Sequence, residues 1–146
     1  MRPTERGAGR PARQWRVLAG SALLLPVVGW WLRRGGVRHA RTRLQALAGS
    51  RAAPAPADGE VLATARALAA AVNAAARRGP YRANCLRRSL VLEWWLQRRG
   101  IDCRLRIGVD TADGGLAAHA WVEHRGVVLN DRPEVAEHYA VLEGGR

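Results

Sequence analysis

The sequence contains no lysine, and this absence excludes two kinds of chemistry. All 24 of its basic residues are arginines. Schiff-base catalysis needs a lysine amine, and the phosphate-binding loop of P-loop nucleotidases needs a lysine side chain. Neither mechanism is therefore available to this chain. Exclusive use of arginine also fits a genome rich in GC codons, so it does not by itself indicate nucleic-acid recognition.

Cysteine is also scarce, because only Cys85 and Cys103 occur. They match no C-x-x-C or cysteine–histidine spacing of the kind that holds zinc, so we expect no metal and no cofactor. No pattern supports a disulfide between them. If one thiol is a nucleophile, we expect both to be reduced in an intracellular compartment.

Acidic residues are nearly absent from the first third of the chain. Residues 1–51 hold 11 arginines and one acid, whereas residues 52–146 hold 13 arginines and 11 acids. Most of the net charge of +12 therefore lies in the N-terminal part. Such a basic segment attracts nucleic acid, anionic lipid or an acidic partner, and its sign does not choose among them.

The longest uncharged run covers residues 17–32. It is shorter than the roughly 20 residues that span a bilayer, and Pro26 interrupts it. The residues that follow it make a poor signal-peptide cleavage site. We favour a core or docking helix over a membrane-surface helix, and both over a signal or anchor.

The chain is long enough for one compact domain. We divide it into a basic tail with a hydrophobic helical arm (1–50), a Pro/Ala linker (51–59) and a catalytic domain (60–146). Residues 1–13 suggest a disordered tail, and the arm is predicted to form two helices that break near Gly35 and Gly36.

The catalytic domain is predicted to start with two helices. Asp58 is a plausible N-cap of the first, which Gly79 and Pro80 end. The second should begin at Asn84 or Cys85 and run to Gly100, where glycine supplies a left-handed cap.

After Gly100 the apolar period changes to two, which predicts a strand over 103–109 and then a hairpin over 118–131. The sequence therefore predicts an α+β fold, with helices followed by a small antiparallel sheet.

Cys85 lies in the first turn of the second helix. Backbone N–H groups and the positive end of the helix dipole favour a thiolate there, and Arg87 and Arg88 add positive potential. A nearby imidazole would accept the thiol proton, and a carboxylate behind it would fix its tautomer.

The hairpin can supply both groups if its loop has three residues. Glu123 then pairs with Val127, and His119 lies opposite Asp131 on the same face. A two-residue loop would place His119 on the other face. The predicted triad thus depends on the register.

Four short motifs carry a resemblance to a known family: N-C-L-R-R-S-L at 84–90, R-R-G-I-D at 98–102, I-G-V at 107–109 and A-H-A-W-V-E at 118–123. Over residues 60–146 the chain resembles the standalone transglutaminase-like peptidases, or B proteins, of lasso peptide biosynthesis. The resemblance implies a transglutaminase-like, papain-like cysteine protease core. It also implies that Cys85 is the nucleophile, His119 the general base and acid, and Asp131 the residue that orients His119.

The resemblance further implies a substrate and partners. These are the leader of a lasso precursor peptide, a separate leader-recognition protein and a lasso cyclase, with no nucleic acid and no cofactor. We expect a cytoplasmic location, with peripheral membrane contact left open. Asp110 and Asp113 are rival orienting residues, and we assign Cys103 to core packing.

Two alternatives remain open at this point. The same fold can resolve its thioester with an amine instead of water, which would make the chain an acyltransferase. Alternatively, the chain is a non-catalytic Arg-rich binding module for nucleic acid or anionic membrane. The module predicts that Cys85→Ala has no effect.

Overall fold

Three helices precede a small antiparallel sheet in the computed structural model, which describes residues 9–49, 53–78, 84–112 and 114–142. The sheet has the strand order β3-β2-β1-β4. The elements in chain order are α1 (Gly9–Ala48), α2 (Val61–Arg78), α3 (Cys85–Arg98), β1 (Arg104–Asp110), β2 (Ala117–His124), β3 (Val127–Val128), α4 (Val135–His138) and β4 (Ala140–Val141). The predicted order of helices and then antiparallel strands is confirmed.

Helix α1 begins at Gly9, inside the segment 1–13 for which the sequence suggests a disordered tail, so that prediction is wrong for residues 9–13. The predicted break is confirmed at Gly36, whose φ of 71° and ψ of −166° are not helical. Only glycine adopts such angles without strain, so the chain changes direction here. The predicted tail over 1–13 falls partly on residues 1–8, which lie outside the described residues.

Helix α2 begins three residues after the predicted N-cap, and Asp58 lies in the turn before it. The Thr64 N–H donates to the Glu60 carbonyl and closes the first helical turn. Ala65, Leu68 and Val72 recur at a spacing of three or four residues and are buried on one face of the helix. The predicted stop at Gly79 and Pro80 lies outside the described residues.

Helix α3 has the predicted ends. Asn84 caps its start by accepting a hydrogen bond of 3.0 Å from the Arg87 N–H. Gly100 follows its end with a φ of 64°, as a left-handed cap requires. The cap glycine also has the Ala53 carbonyl close to it, and the Ala53 N–H donates to the Arg98 carbonyl at 2.9 Å. The segment before α2 is thereby attached to the end of α3.

The hydrophobic core lies among the three long helices and one face of the sheet. Side chains from α1, α2, α3, β1 and β2 share one buried cluster. Two indoles fix α1 on α3, because Trp94 donates to the Leu44 carbonyl at 2.8 Å and Trp95 donates to Ser21 Oγ at 3.0 Å. An ion pair between Arg41 and Glu93 joins the same two helices. Helix α3 is therefore held between α1 and the sheet.

Candidate active site

The cysteine at residue 85 is the first residue of α3 and is half-buried. The side chain of Asn84 accepts a hydrogen bond from the Arg87 N–H. The backbone carbonyl of Asn84 accepts from the Arg88 N–H at 3.2 Å. The N–H groups of Cys85 and Leu86 precede this first intrahelical bond and belong to the positive end of the helix. The positive end of the α3 dipole therefore lies beside the Cys85 side chain.

The imidazole of His119 and the carboxylate of Asp131 are in direct contact. His119 Nε2 lies 2.6 Å from Asp131 Oδ2, and both side chains retain partial exposure. The second carboxylate oxygen, Oδ1, accepts a hydrogen bond of 2.7 Å from the Arg132 N–H. Because the carboxylate accepts from the Nε2 proton, the other ring nitrogen, Nδ1, is the one left to exchange a proton with a nucleophile.

The predicted hairpin register is wrong, although the contact that it was meant to explain is present. Glu123 pairs with Val128, and His124 pairs with Val127. The loop therefore has two residues, Arg125 and Gly126, whose φ values are 47° and 82°. Positive φ at both loop residues is the signature of a type I′ turn, whose twist matches that of the two strands. The loop is therefore not the predicted three-residue loop.

Asp131 still reaches His119 because strand β3 is very short. The last backbone hydrogen bond between β2 and the chain after β3 is the one that the Leu129 N–H donates to the Val122 carbonyl at 2.9 Å. The next position is taken by the Asn130 side chain, whose Oδ1 accepts from the Val122 N–H at 2.8 Å. The backbone leaves the sheet at this residue, so strand alternation no longer dictates where Asp131 points.

A buried polar network joins α3 to β2 and to the segment that carries Asp131. Ser89 lies one helical turn after Cys85, and its hydroxyl donates to the Ala120 carbonyl at 3.1 Å. The same hydroxyl accepts from Asn130 Nδ2 at 2.9 Å. Ser89 and Asn130 are both buried. Two buried side chains thus connect the backbone next to His119 and Asp131 with the helix that begins at Cys85.

The structure brings two of the three predicted site residues into contact. Within the described part of the chain, no hydrogen bond joins the Cys85 thiol to His119 or Asp131. Ser89, one helical turn after Cys85, bonds the backbone of β2 at Ala120, the residue after His119. Side chains alternate along β2, and Ala120 and Val122 face the helices. His119 and Trp121 therefore lie together on the other face, which we call the outer face of the sheet.

Aromatic rings surround the imidazole on that outer face. The ring centroid of Tyr139 lies 5.1 Å from that of His119, and the centroid of Trp121 lies 6.2 Å away. Gly108 is the strand partner of His119, and a Cβ there would lie 2.7 Å from Tyr139 Cβ. Glycine at this position therefore lets Tyr139 close over the sheet beside His119.

Sequence reasoning missed Ser89, Asn130 and Tyr139. Ser89 could have been found as a hydroxyl four residues after Cys85 on a helix face that is otherwise buried. Asn130 is adjacent to a predicted site residue, which is a weaker signal. Tyr139 is distant from the motifs, and we find no sequence pattern that indicates it.

The second cysteine also packs against the hydrophobic core, as Cys85 does. Burial, together with smaller contributions from the nearby carboxylates of Glu93 and Asp102, raises the pKa of the Cys103 thiol to about 12. Cys103 packs against the core, as predicted. Its thiol stays protonated at neutral pH and is a poor nucleophile.

The other polar candidates do not join the pair. Asp110 Oδ1 accepts from the Ala112 N–H at 2.9 Å in its own loop, and Asp113 lies outside the described residues. His124 is buried, and its Nδ1 lies 2.5 Å from the Asp102 carbonyl, which satisfies the ring in a structural position. Over the described ranges, no three His, Cys, Asp or Glu side chains cluster as metal ligands would.

The fold and the site define a class of protein: an α+β chain in which a helix that begins with cysteine packs on an antiparallel sheet, and a histidine of that sheet contacts an aspartate in the segment after the hairpin. The family model described as "Transglutaminase-like superfamily" matches residues 24–144. The chain belongs to the transglutaminase-like superfamily, and the predicted fold class is confirmed.

The chain is also similar to a curated relative. It is 37% identical over 62 residues to the microcin J25-processing protein McjB of Escherichia coli. The match covers 42% of this chain and 29% of McjB, so it spans less than a third of that relative. It agrees with the resemblance to the lasso peptide B proteins that the sequence motifs carry. No solved structure matches the chain.

Proposed function

We propose that this chain is a cysteine peptidase that removes the leader peptide from a lasso peptide precursor. Cys85 is the nucleophile, His119 the general base and acid, and Asp131 the residue that orients His119. The observation that carries the proposal is the contact of 2.6 Å between His119 and Asp131, on a strand braced against the helix that begins at Cys85. We assign this chemistry to residues 60–146, after a basic arm (1–50) and a connecting segment (51–59).

The proton path follows from the orientation of the imidazole. Nε2 donates to Asp131, so Nδ1 accepts the thiol proton as the Cys85 sulfur attacks the carbonyl carbon at the leader–core junction. The oxyanion that forms is stabilised by N–H groups at the start of α3. His119 then returns the proton to the departing amine as the C–N bond breaks, which leaves a thioester on Cys85.

Water completes the reaction in this proposal. His119 Nδ1 accepts a proton from the attacking water, the C–S bond breaks, and the leader leaves with a new carboxylate. The thiol regains its proton from His119. Catalytic hydrogen bonds often form fully only in the complex with substrate, so we expect the Cys85 thiol to come within hydrogen-bond distance of His119 Nδ1 when the precursor binds.

Substrate and partners come from the likeness to other proteins. The lasso B-protein motifs and the match to a microcin-processing protein support a ribosomal precursor peptide as substrate. We further propose a separate leader-recognition protein that presents the leader, a lasso cyclase that takes the freed core amine, and a cytoplasmic location.

Two single-thiol variants of the full chain provide the test. The precursor peptide and the leader-recognition protein are incubated with the parent, with Cys85→Ala or with Cys103→Ala, and the products are weighed by mass spectrometry. We expect Cys85→Ala to lose at least 10³-fold in rate, because the nucleophile is gone, and Cys103→Ala to cleave within about threefold of the parent.

The products separate the alternatives. Two fragments that together gain one water support hydrolysis, whereas a fragment joined to an added amine supports acyl transfer. Undiminished cleavage by Cys85→Ala would refute the proposed role of Cys85. Processing that survives Cys85→Ala and is lost when the exposed arginines of residues 1–50 are replaced by Gln would favour the Arg-rich binding module.

A further inference from the structure

Helix α1 carries an apolar face that the rest of the described chain does not cover. Trp15 is 65% exposed, Leu23 74% and Trp30 52%, and Val27 is also exposed. With Ala19, these residues recur every three or four positions and therefore lie on one side of the helix. We call this set (Trp15, Ala19, Leu23, Val27 and Trp30) the outer face of α1.

Arginines mark both ends of the outer face. Arg16 lies seven residues before Leu23, and Arg34 lies four residues after Trp30, so both project from the same side as the apolar residues. Both are exposed, and the Arg34 guanidinium lies 4.8 Å from the Trp30 ring centroid. Gly9–Ala48 contains eight arginines and no Asp or Glu.

The opposite side of α1 is fixed to the protein. Helix α1 is long and apolar enough to cross a membrane by length and composition, but Val17, Leu25 and Val28 are buried in the core. Ser21 is also buried, where it bonds the Trp95 indole of α3. A helix that spanned a bilayer would have to leave α2 and α3, whereas one that lies parallel to the surface keeps these contacts.

We propose that the outer face of α1 lies flat on an anionic phospholipid bilayer. The two tryptophans and Leu23 would enter the boundary between headgroups and acyl chains, where indole rings prefer to lie. Arg16 and Arg34 would extend to lipid phosphates at either end. The absence of acidic residues in α1 makes the helix complementary to a negative surface. The inference is independent of the proposed peptidase activity.

Vesicle co-sedimentation of the full chain tests the apolar part of the proposal. Vesicles contain either equal parts phosphatidylglycerol and phosphatidylcholine or phosphatidylcholine alone. We expect binding to the anionic vesicles and weak binding to the neutral ones. Leu23→Gln should weaken binding about tenfold, since one leucine no longer enters the apolar layer. Leu116→Gln is the matched control, because Leu116 is 76% exposed but belongs to the segment just before β2 and not to α1.

Two charge variants test the electrostatic part. Replacing Arg16 and Arg34 by Gln should weaken binding to the anionic vesicles about thirtyfold at low salt, at roughly a fivefold loss for each arginine. Replacing Arg104 and Arg125 removes the same charge from the sheet and should have a much smaller effect. Equal losses in the paired variants, or no binding to anionic vesicles, would overturn the proposal. It would also be overturned if the outer face mediated self-association, seen as a mass in solution that Leu23→Gln halves, without lipid binding.

Discussion

The hydroxyl of Ser89 offers a direct test of how the site is held together. It donates to the Ala120 carbonyl and accepts from Asn130, so it contacts the backbone next to His119 and the residue next to Asp131. Ser89→Ala removes this one oxygen and leaves the helix intact, because alanine is the best helix former. We predict that the variant folds but loses activity.

The size of the effect on stability follows from the groups that lose a partner. The Ala120 carbonyl and the Asn130 amide are both buried, and an unsatisfied buried polar group costs about 1–3 kcal/mol. We therefore expect Ser89→Ala to lower the free energy of unfolding by about 2–6 kcal/mol, at about 1–3 kcal/mol for each group. Domains of this size have about 5–15 kcal/mol of stability, so a loss in the middle of that range leaves the variant folded at 25 °C.

Ser21→Ala is a matched control. Ser21 is also a fully buried helical serine, and its hydroxyl accepts from the Trp95 indole at 3.0 Å. It belongs to the contact between α1 and α3, so its loss leaves one indole N–H unsatisfied and should cost about 1–3 kcal/mol. The two variants therefore differ less in stability than in their connection to the site.

The assay combines urea unfolding with cleavage kinetics at a temperature at which both variants are folded. We expect Ser89→Ala to lower kcat about 100-fold with little change in KM, because a displacement of about 1 Å in a catalytic group has this size of effect. Ser21→Ala should keep kcat within about twofold of the parent. If the two variants retain the same kcat per folded molecule, Ser89 does not position the site.

Two further predictions concern the thiols and the sheet. The pKa of Cys103 is raised to about 12, so only about one Cys103 thiol in ten thousand is ionised at pH 8. We therefore expect iodoacetamide to alkylate Cys85 first. Equal alkylation rates, measured by peptide mapping, would contradict this. Gly108→Ala should displace Tyr139 and lower stability by about 1–3 kcal/mol, because its new Cβ would lie 2.7 Å from the Tyr139 Cβ. A thermal melt tests this. An unchanged midpoint of unfolding would show that Tyr139 moves aside with no loss of stability.

Local signals predicted most of the helical part of the fold. Asn84 and Gly100 mark the two ends of α3 because a side-chain cap and a left-handed glycine each meet a requirement of the backbone that few other residues satisfy. Gly36 marks the break in α1 for the same reason. The start of α1 at Gly9 was not predicted, because an Arg- and Gly-rich segment has no apolar period.

The hairpin shows where such reasoning stops. Arg125 and Gly126 form a two-residue turn, but arginine is not a residue that usually signals positive φ, so the loop length could not be read from the sequence. The three-residue loop that we predicted gave the wrong register. The contact between His119 and Asp131 that was inferred from that register is nevertheless present. The reason is that alternation applies only inside a ladder, and the ladder ends one residue before Asn130.

Asn130 explains why the contact between His119 and Asp131 does not depend on the register of the hairpin. Its side chain accepts from the Val122 N–H, in the place where a longer β3 would have supplied a backbone carbonyl, and it donates to Ser89 on α3. A longer strand would have kept Asp131 in the alternating pattern of the sheet. The amide therefore ends the strand and attaches its end to the helix that begins at Cys85. Placement of the aspartate thus depends on a side chain–backbone contact between distant segments, which no periodic pattern in the sequence encodes.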